Sequence, residues 1–281
     1  MRAPTIPELR RGVLAVSVLH DVDIEPAELG VTLPGLPTVW VPWAECRRAL
    51  AGHDPETTGR QRLADWLLAR RWAADLTPER LVQRLRPVGL PVEHVLHPGL
   101  DWVRERVLGD ALDLGLGAVD LDPSDPDRVV LLPATALDAA GLDQEEMWSR
   151  TKTMLDDLGK LAAERVRRDT RGQLRPLGDC DVVTLLGSRA LRAALADDAG
   201  GMGAAVVPMR NRGWTRLALI DPAFGPAAAR ATNPEHRGFD RPLLVTADEL
   251  TLVAAGGRAE SLVLRDPAIS DAPWEKDVLY R

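Results

Sequence analysis

Apolar residues are spaced in more than one way along this chain, and each spacing predicts a different element. At the N-terminus, residues 13–24 and 31–41 read as β-type runs broken by Pro26, Gly30, Pro34, Gly35 and Pro37, so short strands are expected there. The segment PWAECRRALAG predicts a short helix ending at Gly52, which is placed to cap it in a left-handed conformation. Asp54-Pro55-Glu56 then opens a helix over 59–74, with Leu63, Trp66, Leu67 and Arg70 at helical spacing. Thr77-Pro78-Glu79-Arg80 combines an N-cap with proline at the first helical position and starts another helix, to Leu85.

Residues 86–99, RPVGLPVEHVLHPG, hold three prolines and two glycines, which rule out a regular helix and make this stretch the best boundary candidate. The expected organisation is an N-terminal unit over 1–85, a connection over 86–99 and an α+β unit over 100–281, the whole being compatible with one continuous domain. After the connection a helix is predicted over 100–114, a turn-rich stretch over 120–127 and a strand over 129–132. The longest helix, over 143–168, shows a face through Met147, Thr151, Met154, Leu158 and Leu161 that should pack on a sheet. Residues 181–198 are a further helical segment, which Val182 to Thr184 could instead begin as a strand.

The last third changes to β-type runs at 204–209, 214–220, 242–246, 249–254 and 260–264, and the short connections among them favour antiparallel pairing, since a parallel crossover needs about a dozen residues or more. The fold class is therefore α+β: a helical N-terminal and central part followed by a C-terminal antiparallel β-meander. The first two runs read as a hairpin carrying Arg210, Asn211 and Arg212 at its tip beside Trp214, with Asp221 closing its second arm.

Composition narrows the function classes more than it selects one. The chain has 281 residues, 45% hydrophobic and 27% charged, with a formal charge of -7, so it has no basic excess for non-specific binding to nucleic acid or anionic membranes. Only Lys152, Lys160 and Lys276 are lysines among 35 basic residues, the mark of a high-GC coding bias that weakens selection arguments for any one arginine. Cys46 and Cys180 match no metal or redox spacing, and the apolar run from Val13 to Leu19 is too short to span a bilayer. A cytoplasmic protein without a cofactor or metal is expected.

Several groupings could carry chemistry. His94 and His97 form H-x-x-H, a metal pattern only if helical, and the flanking prolines argue for a capped loop instead. Asp120, Asp122, Asp125 and Asp127 crowd one loop but lack the glycine and glutamate of a calcium loop. Cys180 lies between two aspartates, which oppose a thiolate, and Ser188 lacks a nucleophile elbow. Gly200-Gly201-Met202-Gly203 lacks the lysine of a phosphate loop. Arg210, Asn211, Arg212 and Trp214, together with Arg237 and Arg241 of the HRGFDRP segment, form a cationic grouping if their two loops meet.

The runs GLPVEHVLHPGLDWVRERVLG, DVVTLLGSRALRAAL and FDRPLLVTADELTL resemble a group of uncharacterised proteins encoded in high-GC actinobacteria, over most of residues 85–255. That resemblance implies no activity, cofactor or catalytic residue. Function is thus expected to lie in binding an anionic ligand or a protein partner through the arginine-rich loops. One alternative is an enzyme using general acid–base chemistry, with His236, His97, Asp221 and Asp240 as candidate groups. Another is a structural subunit docking through Trp274 and the tail PWEKDVLYR.

Overall fold

A computed structural model describes residues 3–253, apart from 93, 100, 108, 110, 170, 198, 218–220 and 222. The expected 260–264 strand and the C-terminal tail with Trp274 lie outside the described residues. The first element corrects the sequence reading: residues 13–20 belong to helix α1 (Ile6–His20), not to a strand. The run is apolar on every side, which hides its period, and the cap decides. Thr5 Oγ1 accepts the Glu8 N–H while the Glu8 carboxylate accepts the Thr5 N–H at 2.6 Å, a reciprocal capping box. Leu9, Val13 and Val16 face inward, whereas Leu14, Val18 and Leu19 are exposed.

Three short strands follow, β1 (Glu25–Pro26), β2 (Gly30–Leu33) and β3 (Val39–Pro42), as an antiparallel sheet. Helices α2 (Trp43–Leu50) and α3 (Arg60–Ala74) close over it, with Leu9, Val31, Trp43 and Trp66 in a common core. Ala51, one residue earlier than expected, takes the left-handed cap at φ 49°. Helix α4 (Pro78–Arg84) starts where its N-cap, Thr77, predicts.

The first part of the proline-rich stretch is a strand. β4 (Leu85–Pro91) pairs along its whole length with β6 (Leu112–Ala118), which on its other side meets β5 (Arg104–Arg106) and β7 (Val130–Leu131). Proline is tolerated because of parity. Pro87, Gly89 and Pro91 alternate with the residues whose amides enter the ladder, so the missing N–H groups fall on the outer edge. There the Gly89 N–H is covered by Thr184 Oγ1 at 2.8 Å. The expected helix over 100–114 is likewise absent, because LDLGLGA alternates with period two. Its leucines point into the core, and its aspartate and glycines share the other face. A Cβ at Gly115 would overlap the indole of Trp102, so glycine lets that ring lie flat on the sheet.

Helix α5 (Ala134–Ala139) leads to the long α6 (Gln144–Arg168), whose N-cap Asp143 accepts the Glu146 N–H at 2.7 Å. Its buried line runs through Met147, Thr151, Leu155 and Gly159, and Leu161, assigned to that face from the sequence, is exposed. Beyond it come β8 (Gln173–Leu174), α7 (Val182–Leu185) and α8 (Arg189–Asp197). The last sheet adds β9 (Gly203–Met209), β10 (Arg212–Trp214), and, after helix α9 (Phe224–Ala231), β11 (Leu243–Val245) and β12 (Leu250–Leu252). Its order is β12-β11-β9-β10-β8, all antiparallel, and the fold is α+β. The second hairpin arm is shorter than expected: the strand ends at Trp214. Asp221 does not close that arm, since its carboxylate instead accepts the Ala223 N–H at the entrance to α9.

Candidate functional site

The two arginine-bearing loops meet. Past the turn that joins β9 to β10, the Arg210 N–H donates to the His236 carbonyl at 2.9 Å, and Met209 forms an isolated antiparallel bridge with Arg237. The chain then runs back along β9, with Gly238 N–H on the Pro208 carbonyl and Phe239 N–H on the Val207 carbonyl. A Cβ at Gly238 would crowd the Met209 and Val207 backbone, so this close approach requires glycine. The hairpin tip and the 236–239 segment thus form one backbone-joined surface.

The side chains on it differ in what they can do. Arg210 is held by Asp181, Nη2 to Oδ2 at 2.7 Å and Nε to Oδ2 at 2.8 Å, and is mostly covered. Asp181 also caps α7, its Oδ1 accepting the Thr184 N–H, so one carboxylate fixes both the helix start and the guanidinium. Arg212 and Asn211 at the tip are exposed, and among the described residues no ion pair holds Arg212. Arg237 donates from Nη2 to the Thr232 carbonyl at 3.2 Å and leaves its buried Nε without a partner. Trp214 is half-buried and packs edge-on against Phe224, their centroids 5.1 Å apart. Arg241 points elsewhere, its contacts being Asp240 and the Val253 carbonyl, each at 3.4 Å.

His94 is the residue that ties this surface to the rest of the molecule, and it was assigned no such place from the sequence. Its Nδ1 accepts the Leu96 N–H at 3.2 Å and its Nε2 meets the Arg237 carbonyl at 3.1 Å. The carbonyl can only accept, so the proton sits on Nε2 and both nitrogens are committed. His97 repeats the arrangement: Nδ1 accepts the Gly99 N–H at 3.1 Å, and Nε2 faces Asp113 Oδ2 at 3.3 Å. The H-x-x-H motif is thus a pair of local caps, each closing a turn on the amide two residues ahead. Among the described residues no group of three or more His, Cys, Asp or Glu is placed to hold a metal ion.

Asp113 is the fully buried centre of this region. Besides His97 it accepts Arg104 Nη1 at 2.5 Å and Arg106 Nε at 3.0 Å, both presented by β5 on the same face of the sheet. Burial acts to raise its pKa, but the hydrogen bond from His97 and the two guanidiniums outweigh it and hold the carboxyl well below its usual range. Nearby Asp101 accepts Trp66 Nε1 at 2.8 Å and Thr135 Oγ1 at 2.6 Å, anchoring the 94–103 loop to α3 and α5. Of the acid–base candidates, only His97 meets a buried carboxylate. His236 and Asp240 are exposed, and Asp221 accepts the Ala223 N–H in the turn before α9. Cys180 is buried, and burial, reinforced by Asp181 and Asp179, pushes its thiol up to about 12.

The position of His94 has a pH consequence. Burial, and then the Arg210 charge, push its pKa down to about 4. In the unfolded chain it titrates near 6.5, so between about 6.5 and 4 the unfolded state binds more protons and stability falls as pH drops. The loss is expected to reach about 3 kcal/mol and to stop below the folded pKa. Urea unfolding at pH 7.5 and 4.5 checks it: His94→Gln should lose about 2 kcal/mol less than the native chain over that interval. An equal loss in both would remove His94 from the account.

Compared with protein-family models, with curated proteins and with solved structures, the chain matches none. Among the described residues, no helix is long and apolar enough to cross a membrane.

Proposed function

We propose that this is a cytoplasmic binding protein that holds an anionic group, carried by a protein partner or a small ligand, on the surface shared by the β9–β10 tip and the 236–239 segment. The observation that carries the reading is the backbone junction, above all the 2.9 Å bond from Arg210 N–H to the His236 carbonyl. It brings Arg210, Arg212 and Arg237 onto adjoining segments, and among the described residues only Arg210 of the three is neutralised by a carboxylate. Two free, buried cysteines suit a reducing compartment. The acid–base alternative has less support. A general base needs a lone pair or proton facing its substrate, and both nitrogens of His94 and of His97 are spent inside the protein.

Arg212 gives the cleanest test because it is exposed and its side chain has no hydrogen-bond or ion-pair partner among the described residues. Fluorescence anisotropy of a labelled glutamate-rich peptide, with inorganic phosphate as competitor, should show binding that weakens with added salt. Arg212→Glu should reduce affinity about tenfold or more, since it replaces an attractive charge by a repulsive one. An affinity that Arg212→Glu leaves unchanged would end the proposal, as would no binding by the native chain at low salt.

A further inference from the structure

A second candidate site lies at the opposite end of β10. That strand pairs Arg212 with Met209 and Trp214 with Val206, and then Thr215 leaves the sheet and donates its N–H to the Gly172 carbonyl at 2.8 Å. Gly203 and Ala204 therefore pair with β11 on one side and have no β10 partner on the other. The gap is a cleft of about 470 Å³, bounded by the C-terminal turns of α6 and α8. Val166, Leu174, Leu195 and Ala199 give it apolar walls, and its size is that of a small-molecule site.

Two charged residues line it, and they are not equivalent. The Asp169 oxygens are already taken, Oδ1 by the Arg171 N–H and Oδ2 by the Gln173 N–H, each at 2.8 Å. Among the described residues Arg216 has no ion-pair or side-chain hydrogen-bond partner. Its stem lies across Gly172, which sits at φ +66°. A Cβ there would come within 2.6 Å of Arg216 Cγ, so glycine is what lets the arginine lie over the cleft wall. A recess of mixed lining, with those apolar walls, polar groups at Gln173 and Thr215 and the Arg216 guanidinium beside them, complements a small molecule that has an apolar body and a single anionic head.

We infer that this cleft binds a small amphipathic carboxylate, with the chain or ring between α6 and α8 and the carboxylate on Arg216. The site is separate from the Arg212 surface and does not depend on it. Sodium octanoate is a suitable probe, followed by isothermal titration with the full chain and with three variants whose folding is checked by thermal melts. Arg216→Gln should weaken octanoate at least fivefold, leaving binding of neutral 1-octanol unchanged. Ala199→Trp, at an exposed position on the rim, should block both probes. Arg212→Glu should affect neither, which separates this site from the other. The inference is overturned if octanoate does not bind, if Arg216→Gln leaves its affinity intact, or if Ala199→Trp leaves both probes bound.

Discussion

Asp113→Ala is expected to lower the stability of the folded chain by about 4 kcal/mol, measured as a shift in the urea midpoint at constant m value. The side chain is wholly buried and receives His97, Arg104 and Arg106, so removing it strands three donors around a space that held a charge. Removing one partner of a buried ion pair costs about 3 to 5 kcal/mol, and the upper end is not expected because Arg104 and Arg106 are partly exposed and can turn to water. Asp113→Asn keeps the shape and one acceptor, so its loss should be smaller. Its acid behaviour should also differ. The folded pKa of Asp113 is depressed, so its contribution is fully present above the unfolded value near 4 and is lost as pH falls below that. The asparagine variant has no such loss, and its stability should flatten below pH 4 relative to the native chain. That window lies under the one assigned to His94, so the two groups can be told apart in one pH series. A native-like midpoint for Asp113→Ala would show that this cluster is held by packing alone.

How much of this was legible in the sequence depended on whether the signal was local. Caps were: Thr77, Asp143 and Asp181 each start a helix by accepting an amide three residues on, which a short sequence window contains. The antiparallel C-terminal sheet also followed from short connections and β-type runs. Period failed where a run was almost wholly apolar, as at 13–19, since a helix and a buried strand then look alike. There the reciprocal Thr5–Glu8 cap was the missing clue. The 86–99 stretch shows the converse error. Its prolines read as breakers, but the even, four-residue spacing of Pro87 and Pro91 puts both missing N–H groups on one edge, which suits an edge strand. The candidate site was half visible. Arg210 and Arg237 were named, but nothing local announces that Asp181 neutralises one of them or that His94 caps the carbonyl of the other. Asp113 was hidden for the same reason, because its partners come from a strand seven to nine residues away and a loop sixteen away.

Gly159→Ala is expected to destabilise the protein by about 2 kcal/mol, the reverse of what helix propensity alone gives. In the interior of a free 25-residue helix, replacing glycine by alanine is favourable by about 1 kcal/mol. Here α6 crosses α8 at this position, and a Cβ at 159 would overlap both Oγ and Cβ of Ser188. The buried Ser188 lies beside the first turn of α8 and cannot swing into solvent, so the helices must part. Overpacking of this kind costs about 1 to 3 kcal/mol, occasionally more, and Gly159→Leu should cost more than alanine. The cause can be isolated because Ser188 Oγ has no hydrogen-bond partner, so removing it breaks no bond. Ser188→Gly should therefore restore most of what Gly159→Ala loses, with a coupling of about 2 kcal/mol in the double-mutant cycle. Additive effects would mean that the two residues do not share the contact. A Gly159→Ala chain as stable as the native one would mean that α6 and α8 do not approach as closely as this packing requires.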